Sequence, residues 1–253
     1  MTDPKRDPWH GLTRLTPARI ALGRAGGSIR TESLLEFRLA HARARDAVQL
    51  AFDADAVERQ LSKQGLDSVR LSTLATDRRD YLLHPERGRA LTPASQALLE
   101  GHLAGLRHRD LVIVVSDGLS ALAAERQAAS TLSSLMPQLT SQQFSTCPIF
   151  IVPLARVKLA DEIGQRLGAR LSLILLGERP GLSSPDSLGA YITYDPGQER
   201  TDAERNCVSN IRPEGLSPFE AARRIAALLV ASKQRALSGV TLRVEEHRLT
   251  ERR

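Results

Sequence analysis

Along this chain the apolar positions gather into short unbroken runs: residues 111–115 (LVIVV), 149–152 (IFIV) and 171–176 (LSLILL). Each run has strand length and branched side chains but no alternation with polar residues. That pattern predicts strands buried on both faces, as in a parallel sheet covered by helices. Residues 69–74 alternate as a strand would and predict the first edge of the sheet, and residues 191–194 predict a further short strand. Helical periodicity fills the intervals, over about 121–135 and over 159–167, where Gly168 closes it. Strand, helix and strand in this order make a βαβ unit with a parallel, right-handed crossover.

Helix starts are marked by a hydroxyl residue followed by proline. Thr92-Pro93 opens a helix running to 106, and the capping box Ser217-Pro218-Phe219-Glu220 launches a long helix up to Gly239. Thr16-Pro17 predicts a helix that ends at the glycine cluster of residues 23–27. From Thr31 and Ser33 an amphipathic helix follows, with Leu34, Leu35, Leu39, Ala42 and Val48 inward and arginines outward, and a second covers 54–64 before Gly65. Residues 78–89 (RRDYLLHPERGR) read as a charged connection. The expected organisation is an arm and helical extension over 1–65, with Trp9 as an anchor on a partner. An α/β domain over 66–244 and a charged tail over 245–253 complete it.

Composition narrows the class. With 253 residues and 42% apolar content the chain can fill a large core, and no window approaches the length of a membrane span. Two cysteines, Cys147 and Cys207, cannot build a disulfide framework and lack metal-site spacing, which fits a reducing, cytoplasmic compartment. The net charge of +6 comes from arginines interspersed with acids along helices, and aromatic residues are only 4%. That is the pattern of solvated faces and protein interfaces rather than of a nucleic-acid platform.

Candidate chemistry sits at the strand ends. The run 171–176 gives way at once to Gly177-Glu178-Arg179-Pro180-Gly181, so Glu178 and Arg179 lie where open α/β sheets bind ligands. The run 111–115 ends in Ser116-Asp117-Gly118-Leu119-Ser120, where the next helix start could receive an anionic group or Asp117 could simply cap the turn. The cluster Gly23-Arg24-Ala25-Gly26-Gly27 lacks the spacing of a phosphate loop and reads better as a helix cap and turn. No nucleophile elbow, paired-histidine metal helix, CxxC or P-loop is present. What remains is a sheet suited to holding a cofactor, with a stand-alone nucleotide-binding or regulatory module as the rival reading.

Several blocks, in order, resemble one family, the small (light) subunit of ethanolamine ammonia-lyase. They are ARIALGRAGGSIRT (18–31), HARARDAV (41–48), YLLHPERGR (81–89), SDGLS (116–120), RVKLADEIGQRLGA (156–169), LLGERPGL (175–182) and RNCVSNI (205–211). The resemblance implies a Rossmann-like, doubly wound, mostly parallel sheet with an N-terminal helical extension. It also implies a heteromeric enzyme in which this subunit clamps adenosylcobalamin against a TIM-barrel large subunit, which turns ethanolamine into acetaldehyde and ammonia. Cofactor contacts carry over by motif to Val157, Glu178 and Cys207. The residues themselves permit plainer roles: Val157 as a helix-entry residue, Glu178 paired with Arg179 or solvent, Cys207 as a reduced thiol in a polar turn. None of the six histidines (His10, His41, His84, His102, His108, His247) stands in a D-x-H-x-x-G context, so the cofactor is expected to keep its own base on cobalt. The resemblance implies a cytoplasmic enzyme, with a bacterial microcompartment as a further location.

Overall fold

The computed structural model describes residues 7–242 except 17 and 102. A strand pair, β1 (Arg24–Ala25) and β2 (Ser28–Ile29), is followed by helices α1 (Thr31–Gln49) and α2 (Ala54–Lys63). Then come β3 (Ser68–Arg70), α3 (Arg78–Leu83), α4 (Pro93–Glu100), β4 (Leu111–Ser116), α5 (Ala121–Ser141), β5 (Thr146–Ile151), α6 (Leu159–Leu167) and β6 (Leu171–Gly177). The chain continues through β7 (Leu188–Tyr194), β8 (Arg205–Ile211) and α7 (Pro218–Arg235).

Six strands form one sheet in the order β3-β5-β4-β6-β7-β8. The strands β3, β5, β4 and β6 are mutually parallel, while β7 runs antiparallel to both β6 and β8. Every residue of β4 and β6 is buried, as their unbroken apolar runs require of central strands covered on both sides. Leu171, Leu173 and Leu175 pack with α2, α5 and α7 on one face, and Ile174 and Leu176 with α4 and α6 on the other. This is the expected doubly wound, mostly parallel α/β architecture.

Local signals explain the boundaries. Ser217 accepts from the Glu220 N–H with Pro218 at the first turn of α7, and Thr92 accepts from the Ser95 N–H with Pro93 in the same role in α4. Gly168, at φ 59°, ends α6 in the left-handed conformation.

Several expectations are corrected. Residues 18–22 are not helical, and the glycine cluster is the turn of the β1–β2 pair, with Gly26 at φ 63°. The helix from Thr92 stops at Glu100 because Gly101 interrupts it, and the edge strand is only Ser68–Arg70. Residues 78–89 are not a solvated connection. They contain α3, and Tyr81 is fully buried because its ring and hydroxyl find partners on the β5–α6 loop. In α1, Leu34, Leu35 and Leu39 are exposed, whereas Ala40 and Ala47 are buried. The apolar stripe exists, and among the described residues nothing covers Leu34, Leu35 and Leu39. The tail after 242 lies outside the described residues.

Candidate functional site

The space between the carboxyl ends of β4 and β6 is filled. A Cβ on Gly177 would stand 2.1 Å from the Ser120 carbonyl oxygen and 2.3 Å from that of Asp117, so the two loops touch backbone to backbone. Gly118, at φ 50°, meets the Gly177 carbonyl in the same way. The N–H groups of Leu119, Ser120 and Ala123 are used internally: Leu119 donates to Gly177 and Ser120 to Asp117, while Ala123 reaches the Ser120 hydroxyl. The SDGLS loop is therefore scaffold, and the anion-site reading of it is set aside.

Asp117 shows what that scaffold holds. It is 1% exposed. Its Oδ1 accepts from the Leu154 N–H at 2.6 Å and its Oδ2 from Arg78 Nη2 at 2.7 Å, while Arg78 Nη1 donates to the Gly118 carbonyl at 2.5 Å. Burial pushes the Asp117 carboxyl up, and the Arg78 guanidinium and the Leu154 N–H oppose that shift. Ser116 Oγ accepts from the Ala155 N–H at 3.0 Å, Tyr81 Oη donates to the Ala155 carbonyl at 3.2 Å, and the Arg156 N–H donates to Gly88 at 2.7 Å. Leu154 is held at φ 58°, a conformation a leucine adopts only when its surroundings impose it. Together α3 and the β4 turn fix residues 154–157, the loop that carries Val157.

The open part of the sheet lies beside this loop. Helix α6 covers β4 and β6, but the same face of β7 and β8 leaves Tyr191 half-buried and Cys207 exposed. Tyr191 and Cys207 are register partners, so the exposed edge strand presents its thiol next to the phenol. Cys207 thus stands on strand β8 and not in a polar turn. Burial of its sulfur first, and then the Glu178 carboxylate, push the thiol up to about 11, so it is protonated at neutral pH. Burial, and then the Cys207 and Glu178 charges, raise Tyr191 as well.

Glu178 follows β6 on this face, half-buried. Its Oε2 accepts from Ser187 Oγ at 2.5 Å and from the Asn210 N–H at 3.3 Å, so its partners are β7 and β8 neighbours and not Arg179. A Cβ at Gly189 would come within 2.8 Å of its Oε1, so glycine gives the carboxylate its room.

Val157 is half-buried against the α6-side core and lines a cleft of about 490 Å³. The cleft runs from Arg89 and residues 156–158 across to residues 198–202 and Arg205. Arg205, which lines the cleft, stands two residues before Cys207 on β8 and so on the same side of the strand, so the cleft adjoins the open sheet face. Arg205 is fixed by the buried Asp161, whose carboxyl burial raises and Arg205 lowers. Arg200 bridges Asp195 at 2.5 Å and Glu204 at 2.7 Å. The structure thus brings Glu178 and Cys207 together through Tyr191 and sets Val157 on the adjoining wall. The β7–β8 register could not be read from residues 191–194 alone, so sequence reasoning missed Tyr191. It also missed the Arg78–Asp117 clamp, which joins segments 39 residues apart.

Residues 6–243 match the family model described as ethanolamine ammonia-lyase light chain. The chain belongs to that light-chain family. Curated relatives carry the name ethanolamine ammonia-lyase small subunit. That of Azotobacter vinelandii is 51% identical over 240 residues, covering 94% of this chain and 89% of the relative. That of Ralstonia nicotianae is 49% identical over 252 residues (96% and 93%), and that of Xanthomonas campestris 49% over 251 residues (98% and 91%). For a light chain, two features of the surface stand out: a sheet face left half open and an α1 stripe left bare.

Proposed function

We propose that this chain is the small subunit of a heteromeric ethanolamine ammonia-lyase and that its open β7–β8 face holds adenosylcobalamin against the large, TIM-barrel subunit. One observation carries the reading. Val157, Glu178 and Cys207, separate in sequence, border one open face and its adjoining cleft, whose supporting loop is rigidly held.

The residues fit a corrinoid. Glu178 keeps acceptor capacity on Oε1 for side-chain amides or a ribose hydroxyl, the protonated Cys207 thiol is neutral and polarisable, and Val157 gives apolar contact. A cleft of about 490 Å³ suits a drug-sized ligand, so a corrinoid would lie across the open face with only part of itself inside. Such a face is half a site, which accords with a subunit that binds and orients while a partner closes the other side. Adenosylcobalamin supplies radical chemistry through its cobalt–carbon bond when bound. This chain's residues hold the cofactor, exclude water on one side and present no acid–base or nucleophilic constellation. No histidine lines the cleft among the described residues.

The exposed Leu34, Leu35 and Leu39 of α1, with Phe37 beside them, form the surface on which the large subunit docks. No helix among the described residues is long and apolar enough to cross a membrane, and we place the complex in the cytoplasm or a bacterial microcompartment. The test is co-purification of the chain with a matching large subunit, followed by assay of acetaldehyde from ethanolamine with adenosylcobalamin. Activity of the pair and none of either chain alone is expected; an assembled, cofactor-supplied pair without activity would overturn the reading.

A further inference from the structure

We propose that the cleft between residues 156–158 and residues 198–202 is a binding site for a phosphate-type oxyanion. Five cations line the cleft together with two carboxylates, Glu199 and Asp202, the latter 3.6 Å from Arg205. Arg200 and Arg205 are consumed by Asp195, Glu204 and Asp161. Arg89, Arg156 and Lys158 form no ion pair among the described residues, although they converge from two segments on one wall. Arg156 is also immobilised: its guanidinium lies 3.9 Å from the Tyr81 ring centroid, and its Nη2 donates to the Tyr81 carbonyl at 2.9 Å.

Unpaired side chains on a free surface point into solvent and repel one another. Here three of them are brought together beside a concavity, one of them pinned, and the cost of that arrangement is recovered when an anion enters. The two buried side-chain polar atoms that lack a partner among the described residues, Nε of Arg156 and Nε of Arg205, both belong to this lining.

The shape of the charge selects the anion. Donors on three separate side chains suit the several oxygens of a tetrahedral oxyanion better than the two coplanar oxygens of a carboxylate. No aromatic ring lines the cleft, so a nucleobase would find nothing to stack on, and the volume exceeds that of a bare phosphate. A phosphodiester within a larger molecule therefore fits best. The nucleotide tail of adenosylcobalamin carries one; this source rests on the cofactor reading above. A free phosphate is the other source of the same chemistry.

The test uses the complex with the large subunit. Adenosylcobalamin, and adenosylcobinamide, which has the same corrin without the phosphate-bearing tail, are titrated into wild type and into Arg89→Gln, Lys158→Gln and the double variant. Inorganic phosphate is titrated calorimetrically into the full chain in parallel. A cofactor source predicts about tenfold weaker adenosylcobalamin binding for each charge removed, unchanged adenosylcobinamide binding, and recovery in Lys158→Arg. A free-phosphate source predicts phosphate binding that the double variant loses, with cofactor affinity unmoved. Unchanged adenosylcobalamin affinity in the double variant together with no phosphate binding by wild type overturns the proposal. If the wild-type complex takes no adenosylcobalamin, the cofactor reading fails, and the phosphate titration decides the anion site by itself. The altered side chains are exposed or half-buried, and unaltered thermal unfolding of each variant separates a binding loss from a folding loss.

Discussion

At the residue scale, the informative side chains are those whose partners are distant in sequence. Glu178 was legible as a ligand candidate because a buried run ends one residue before it. Its bonds to Ser187 and Asn210 were not, since they depend on how β7 and β8 return beside β6. Cys207 illustrates the same limit: RNCVSNI alternates too weakly to announce an edge strand, so its thiol's neighbours emerge only with the register. Its titration is a direct check. With Cys147 replaced by serine, iodoacetamide should react slowly at pH 7, and the rate should rise toward a midpoint near 11. Because a nearby carboxylate disfavours the thiolate, Glu178→Gln should move that midpoint down. The sign for stability follows: a thiol raised in the folded state binds its proton more tightly there, so this contribution is lost as pH climbs from the ordinary thiol range through about 11.

Asp117 makes the second residue-scale prediction. Asp117→Ala leaves Arg78 and the Leu154 N–H without their partner, and should lower the unfolding free energy by about 3 kcal/mol in urea titrations. An effect below about 1 kcal/mol would mean that the clamp does not hold the Val157 loop.

At the scale of elements, apolar runs and capping residues carried most of the fold. The central strands, α6 and the start of α7 stand where pattern and caps placed them, because each is determined by local chemistry plus burial on both faces. The failures cluster where burial depends on something else. Tyr81 looked like part of a charged loop because the groups that bury it come from the β5–α6 connection. The α1 stripe read as inward because a helix with an apolar face must cover something, and among the described residues Leu34, Leu35 and Leu39 stay uncovered. That mismatch is evidence for a partner. Leu35→Gln with Leu39→Gln keeps helix propensity and alters exposed positions. The isolated chain should therefore unfold as wild type does, whereas affinity for the large subunit, measured by calorimetry, should fall more than tenfold. Equal affinity would place the interface elsewhere.

At the scale of the whole molecule, one face of the sheet is closed by α2, α5 and α7 and the other is closed only as far as α6 reaches. The carboxyl ends of β4 and β6 are sealed by Gly118 against Gly177 and those of β4 and β5 are bridged by Asp117 to Leu154, which leaves the uncovered β7–β8 surface and the cleft beside it as the open part of the sheet. On the proposed reading, such a chain holds a ligand from one side while a second body finishes the site. The most direct measurement is the apparent KM for adenosylcobalamin in the assembled two-subunit enzyme carrying Glu178→Ala. The account predicts a rise of about tenfold or more, with subunit assembly and the KM for ethanolamine unchanged. An unchanged cofactor KM in a fully assembled complex would contradict it.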